Sequence, residues 1–374
     1  MPLEEMEIHI GVVGAGGFSG FATKAFSKAP GVKVIAVMDL HKSAAQQMGD
    51  ELGLTVYEKF EELLADRNIH LIYIATPPFL HYEQSKMALQ AGKHVICEKP
   101  AALKTGEAEE LAELAQSRQL LYTVNLMQRY NPLFKTIKYI VQENILGNFV
   151  HGYFENYASD EKLNPDHWFW DESKSGGIFI EHGVHFFDLF AGWLGEGRVV
   201  GAWQLLRPHQ NKPIIDRVQA TVLYDGGIVN FYHGFDQPEI LDRQEFRLLF
   251  ERGEITMYGW VPVKMKLHGL MQNEQLEKLK EKVVSFSISH HNGLSPSEQK
   301  VRGRFEEVIF KDHITMEYEN ILGKQNLYRQ MLTDSISDQL GWIKDRHHIR
   351  MIDDKNAVLS IRMAEEATRI SQRL

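Results

Sequence analysis

Ile8-His9-Ile10-Gly11-Val12-Val13 runs directly into Gly14-Ala15-Gly16-Gly17-Phe18-Ser19-Gly20. The first six residues read as a strand rich in β-branched side chains, the glycines as a tight turn, and Phe18 to Lys28 as a helix. Strand, glycine turn and helix in that order open a dinucleotide-binding βαβ unit, because amides at the helix start can hold a pyrophosphate. Gly14 permits the turn. Gly16, with Gly17, Phe18 and Ser19 beside it, lets the backbone approach the phosphates. Ser19 stands where a third glycine is usual and is small enough for close helix–strand packing. The next strand, Lys33 to Met38, closes on Asp39, 25 residues after Gly14. A carboxylate there accepts hydrogen bonds from ribose hydroxyls and repels a 2′-phosphate, which favours NAD over NADP. His41 and Lys42 blur that preference.

The alternation continues outward from this turn. Ser43 to Leu52, His81 to Ala91 and Thr105 to Ser117 have helical spacing, and Leu71 to Ala75, Val95 to Cys97 and Leu120 to Val124 are apolar strands. Continuous apolar strands between amphipathic helices imply a parallel sheet covered on both faces, so residues 1–125 are expected to form a Rossmann domain. Ligands of such a sheet bind beyond the carboxyl ends of its strands. Three elements lie at those ends: Thr76-Pro77 after one strand, His81 opening the next helix, and Glu98-Lys99-Pro100 after another. Lys99 would place a cation beside the nicotinamide, its direction set by the proline that follows.

After residue 125 the pattern changes. A helix over Pro132 to Gln142 leads to alternating strands at Asn148 to Tyr157, Val199 to Leu206, Arg217 to Tyr224, Gly227 to Tyr232, Phe246 to Phe250 and Glu254 to Tyr258. Strands without intervening helices predict a largely antiparallel, open-faced sheet, so residues 126–374 are expected to form an α+β domain for substrate and assembly. Within the polar span 270–307, Gln272 to Lys282 reads as a solvated helix and Ser287 to Glu298 as a loop. This span is a candidate lid or assembly contact. Helical patterns at Gln325 to Lys344 and Lys355 to Arg373 close the chain.

The densest group of polar chemistry is Gly176-Gly177-Ile178-Phe179-Ile180-Glu181-His182-Gly183-Val184-His185-Phe186-Phe187-Asp188. On an α-helix, Glu181 and His185 share a face, where a carboxylate can orient an imidazole that then takes a proton. His182, His185 and Asp188 also have a spacing that metal ligands use, but no metal is expected, because hydride transfer needs none. Asn125, Arg129, His167 and Trp168 are the further expected pocket residues.

Composition limits the remaining classes. The chain has 374 residues, a net charge of −9 and 44% hydrophobic residues, enough for two soluble domains and no basic field for nucleic acid. One cysteine, Cys97, excludes an internal disulfide and fits a reducing cytoplasm. The first residues lack the basic start of a signal peptide. The longest apolar stretch, Ile178 to Leu194, carries Glu181, His182, His185 and Asp188 and is not a membrane span.

These motifs in this order resemble the glucose–fructose oxidoreductase, inositol dehydrogenase and MocA family (Gfo/Idh/MocA). The match runs through Gly14 to Gly20, Asp39, Ala75-Thr76-Pro77, His81, Glu98-Lys99-Pro100, Asn125, Arg129, Pro132 and Gly176 to Asp188. The resemblance implies a Rossmann domain joined to an open-sheet α/β domain, with NAD(P)-dependent chemistry on sugars, inositols or related polyols. It also implies a homodimer or homotetramer through the sheet. By motif, Lys99, Glu181 and His185 become the catalytic residues. The cofactor set is Gly14, Gly16, Gly17, Phe18, Ser19, Asp39, Thr76, Pro77, His81, Glu98 and Lys99. Lys99, Asn125, Arg129, His167, Trp168, Glu181 and His185 form the substrate set. Many members of the family carry aspartate where this chain has Glu181. The expected activity is hydride transfer between nicotinamide and a secondary alcohol or ketone, with no nucleic-acid or membrane partner. An NAD-dependent glycosidase using transient oxidation and a non-enzymatic sugar sensor are the alternatives.

Overall fold

The computed structural model describes residues 7–208, 213–283, 286–291, 298–304 and 306–374. The first residues, read above as lacking a signal peptide, lie outside that set. The chain divides into two compact units. The first comprises residues 1–130, 167–188 and 328–368, and the second residues 131–166, 189–327 and 369–374.

The first unit is built on a six-stranded parallel sheet. Its strands are β1 (Ile8–Val13), β2 (Val32–Met38), β3 (Thr55–Tyr57), β4 (Leu71–Ile74), β5 (His94–Cys97) and β6 (Tyr122–Val124), in the spatial order β3-β2-β1-β4-β5-β6. The order reverses beside β1, which places the glycine turn at the topological switch point. The linking helices are α1 (Gly17–Phe26), α2 (Lys42–Leu52), α3 (Phe60–Ala65), α4 (His81–Gln90) and α5 (Thr105–Ser117). Every residue of β4 is buried, as its unbroken Leu-Ile-Tyr-Ile run requires of a central strand. Cys97 is a core thiol whose ionisation burial suppresses. The short pair β3 and α3 has no counterpart in the sequence reading, because three strand residues without a buried one and a helix of six residues give too short a pattern.

The second unit begins with α6 (Pro132–Gln142), capped by Asn131, whose side chain accepts from Leu133 N. Its main sheet has ten strands, of which β7 (Phe149–Ser159), β8 (Arg198–Arg207), β9 (Ile214–Tyr224), β10 (Gly227–Gln237), β11 (Arg243–Phe250), β12 (Gly253–Tyr258), β13 (Lys264–Met271) and β14 (Phe286–His290) come first. A separate hairpin, β15 (Gln299–Gly303) with β16 (Glu306–Phe310), precedes β17 (Asp312–Glu319), and β18 (Gln372–Arg373) ends the chain. The sheet order is β14-β17-β13-β12-β11-β7-β10-β9-β8-β18. Most neighbours are antiparallel, but β7 pairs parallel with β10 and β18 parallel with β8. Burial alternates along β9 and β10, and the outward face carries exposed Val200, Leu223, Ile228, Leu249 and Tyr258.

Two sequence expectations change here. Phe286–His290 is an edge strand where a loop from Ser287 is expected, and 292–297 of that loop lie outside the described residues. The final helix stops at Ile370, because Gln372 and Arg373 pair with β8. Among the described residues, no helix is long and apolar enough to cross a membrane.

Candidate active site

The glycine turn is shaped from inside. Gly14 has φ +97°, and a Cβ there would sit 2.5 Å from the Ala75 carbonyl oxygen, so only glycine fits. Ser19 is buried and its hydroxyl donates to the Gly14 carbonyl at 2.6 Å, closing the turn from the position of the usual third glycine. Gly16 and Gly17 are exposed at the start of α1, and a Cβ on either meets nothing within 4 Å. Neither has positive φ. The protein itself therefore makes no demand for glycine at these two positions, whereas close approach of a pyrophosphate to the backbone does. Phe18 is 38% exposed and packs near Phe21 and Tyr328. Asp39 ends β2 with both carboxylate oxygens anchored: Ala15 N donates to Oδ2 and His41 N to Oδ1, each at 2.7 Å. A carboxylate has about four lone-pair sites, so capacity for ribose hydroxyls remains.

At the ends of β4 and β5 the structure sorts the expected residues into two groups. Thr76 and Pro77 stay partly accessible, and the Thr76 hydroxyl donates to Gln84 Oε1 at 2.6 Å. His81 and Glu98, expected to touch cofactor, are turned inward. His81 is 1% exposed, and its ring nitrogens each lie 2.7 Å from a backbone carbonyl, Pro100 O and Thr76 O. It ties the two strand-end loops together. Glu98 Oε1 accepts from Tyr73 Oη at 2.6 Å and Asn125 Nδ2 at 2.7 Å. Burial raises the Glu98 pKa against the lowering effect of those bonds. Asn125, expected to line the substrate pocket, is 2% exposed and spends its amide on Glu98. These bonds hold the backbone on both sides of Lys99, at Glu98 and at Pro100. Tyr73 was hidden from the sequence reading by its apolar strand, although its hydroxyl was the one polar group in that run. The Lys99–Pro100 peptide is cis.

Lys99 Nζ donates to Glu181 Oε1 at 2.5 Å and to the Glu181 carbonyl at 2.8 Å. Both side chains are only partly accessible, at 19% and 12%. An ammonium has three protons, so after these two bonds one remains for a third acceptor. Phe179–Gly183 forms a π-helical turn, and α8 (Val184–Leu194) begins only after it. Glu181 lies in this wider turn and His185 in the α-helix after it. The contact that defines Glu181 is its ion pair with Lys99. His185 is 5% exposed, and burial first, then the Lys99 charge, hold its pKa well below the ordinary histidine range. It is therefore neutral at pH 7.

Arg129 is also redirected. Instead of lining a pocket it is 7% exposed and forks onto Asp188, with Nε to Oδ2 and Nη2 to Oδ1 both at 2.8 Å. Burial raises the Asp188 pKa and Arg129 opposes it. Removing the guanidinium would leave that carboxylate buried without its counter-ion. Arg129→Met is expected to lower stability by about 3–5 kcal/mol in denaturant unfolding, and Asp188→Asn in the same chain to restore part of the loss. His167 and Trp168 are half-exposed, and His167 Nδ1 accepts from Phe169 N to cap the short turn Trp168–Trp170.

Comparison with known proteins fits this geometry. Residues 8–126 match the model of the oxidoreductase family with an NAD-binding Rossmann fold, and residues 134–256 match the Gfo/Idh/MocA C-terminal domain. The chain belongs to the Gfo/Idh/MocA family of NAD(P)-binding oxidoreductases. An uncharacterised oxidoreductase of Schizosaccharomyces pombe is 40% identical over 137 residues, 36% of this chain and 37% of that protein. The NAD-dependent scyllo-inositol 2-dehydrogenase of Bacillus subtilis is 28% identical over 193 residues, 51% of this chain and 55% of the enzyme. The matches to these curated relatives thus span between about a third and just over half of their length. Among solved structures, the 3-ketoreductase KijD10 of Actinomadura kijaniata, in complex with NADP, superposes with a TM-score of 0.71. Its identity is 18%, over 98% of both chains. At that identity the likeness concerns the fold.

Proposed function

We propose that the protein transfers hydride between NAD and a secondary alcohol or ketone of a sugar, inositol or related polyol. The observation that carries this reading is the Lys99–Glu181 ion pair at the carboxyl end of β5, with Glu181 four residues before buried His185. The scyllo-inositol dehydrogenase among the relatives supports the substrate class.

A bound NAD would supply the hydride acceptor or donor. Gly14, Gly16, Gly17, Phe18 and Ser19 would hold its pyrophosphate, Asp39 its ribose, and Thr76, Pro77 and Lys99 would border the nicotinamide end. Lys99 presents its remaining proton to the substrate oxygen and stabilises negative charge developing there. Glu181 keeps the ammonium aimed. His185, neutral at pH 7, takes the hydroxyl proton in the oxidative direction and returns it in the reductive one. His167 and Trp168 offer a polar group and an aromatic face to a sugar ring. We assign cofactor binding to residues 1–125 and substrate binding and assembly to 126–374, with the cytoplasm as the site of action. The test is a panel of sugars and inositols with NAD, read by NADH absorbance. Release of a glycoside's sugar without net NADH would instead point to glycosidase chemistry.

Two expected results follow from single features. Asp39 should favour NAD over NADP by about 1–3 kcal/mol, the range for hydrogen bonds to charged groups. Titration calorimetry with both cofactors decides this, and equal or tighter NADP binding contradicts it. The exposed apolar residues on the outer sheet face, with Leu223 directly opposite Ile228, should bring chains together as a homodimer or homotetramer. A monomer in sedimentation at micromolar concentration contradicts that.

A further inference from the structure

We propose that His268, His291 and His313 bind a divalent transition-metal ion of the zinc class on the second sheet. The three residues come from neighbouring strands: His268 from β13, His313 from β17, and His291 from the position just after β14. Strand register brings them together. His268 lies opposite Thr315, His313 lies opposite Leu270, and His291 N donates to the His313 carbonyl at 2.8 Å. Each offers a ring nitrogen, and these nitrogens all lie within 4.8 Å of one another. Among the described residues this is the one group of three or more potential ligands so arranged.

The details favour a cation over simple packing. His268 Nε2 and His313 Nε2 are 2.8 Å apart, a separation that needs one shared proton between two lone pairs. A metal ion can take the place of that proton. Tetrahedral zinc at about 2.0–2.1 Å from each nitrogen spaces its ligands by roughly 3.3 Å. The close pair would open slightly, and the wider separations, up to 4.8 Å, would shorten. His291 Nε2 is 2.8 Å from Thr315 Oγ1, so the third ring is already turned toward β17. His268 alternates with buried Leu267 and Gly269 and shares its face with exposed Lys264 and Lys266, so the site opens to solvent. Three protein ligands leave a fourth position for water. The ion would join the edge strand β14 to its two inner neighbours, β17 and β13, a structural role within the second unit.

The experiment adds Co(II) to the metal-free full chain and follows the visible spectrum. The expected result is saturation at one ion per chain, with the intense bands of tetrahedral nitrogen ligation, bleached by Zn(II). Zn(II) should also raise the melting temperature of the wild type. His268→Ala and His313→Ala should each weaken binding by at least the roughly 10–100-fold that loss of even an outer partner costs, and should abolish the thermal shift. His291→Ala is a third variant at an exposed position, and unchanged melting without metal verifies that each variant folds. His347→Ala, an exposed histidine elsewhere, should bind like the wild type. No saturable binding, or equal binding by wild type, His268→Ala and His313→Ala, would overturn the proposal.

Discussion

Lys99→Met should lower turnover by roughly 10²–10³, the usual loss for one electrostatic donor at a reacting oxygen, while NAD still binds. Methionine keeps most of the aliphatic stem and removes the charge. The cradle that fixes Lys99 is built largely from other residues: Glu98 is held by Tyr73 and Asn125, and His81 bridges Thr76 and Pro100. The strand end should therefore keep its shape in the variant. Glu181 loses its partner, so Glu181→Gln in the Lys99→Met background should add little further loss. Steady-state rates with calorimetric NAD binding separate the effects. Turnover within a few-fold of wild type would remove Lys99 from the chemistry. Loss of NAD binding would make it a cofactor residue alone.

His185→Ala should cost roughly 10²–10⁴ in turnover, the typical share of general acid–base catalysis. Its pH signature is more specific. Burial and Lys99 hold the His185 pKa well below the ordinary 6.5. A base must be unprotonated to act in oxidation, so the acidic limb of kcat/KM should lie below that value. The rate should stay level as pH falls through 7 and drop only as pH passes the lowered pKa. In His185→Ala that limb should vanish. A variant with near-normal turnover and the same limb would transfer the proton-accepting role to another group.

Much of the first unit was legible because its signals are local. Apolar runs and helical spacing place most of its strands and helices within a few residues, and β1, α5 and α6 fall where periodicity places them. For the candidate site, the sequence names residues but not their contacts. Nothing in the sequence near Arg129 reveals that Asp188, 59 positions away, neutralises it. Glu98 and His81 occupy motif positions, yet their side chains face inward, and the direction of a side chain at a strand end depends on partners such as Tyr73. The π-turn at Phe179–Gly183 is not legible because its residues suit an α-helix equally well, and the Lys99–Glu181 ion pair joins residues 82 positions apart. The three-histidine cluster has no motif spacing at all, since strand register alone joins residues 268, 291 and 313.

The central claim is direct transfer of hydride from a carbinol carbon, assisted by Lys99 and His185. The measurement that tests it most directly follows deuterium from the carbinol carbon of an oxidised inositol or sugar into the reduced cofactor. The account predicts deuterium at nicotinamide C4 with the wild type, in step with substrate oxidation, and transfer slowed by at least roughly 10² in Lys99→Met and His185→Ala. Label appearing in solvent rather than on the cofactor, or transfer at wild-type rate in both variants, would contradict it.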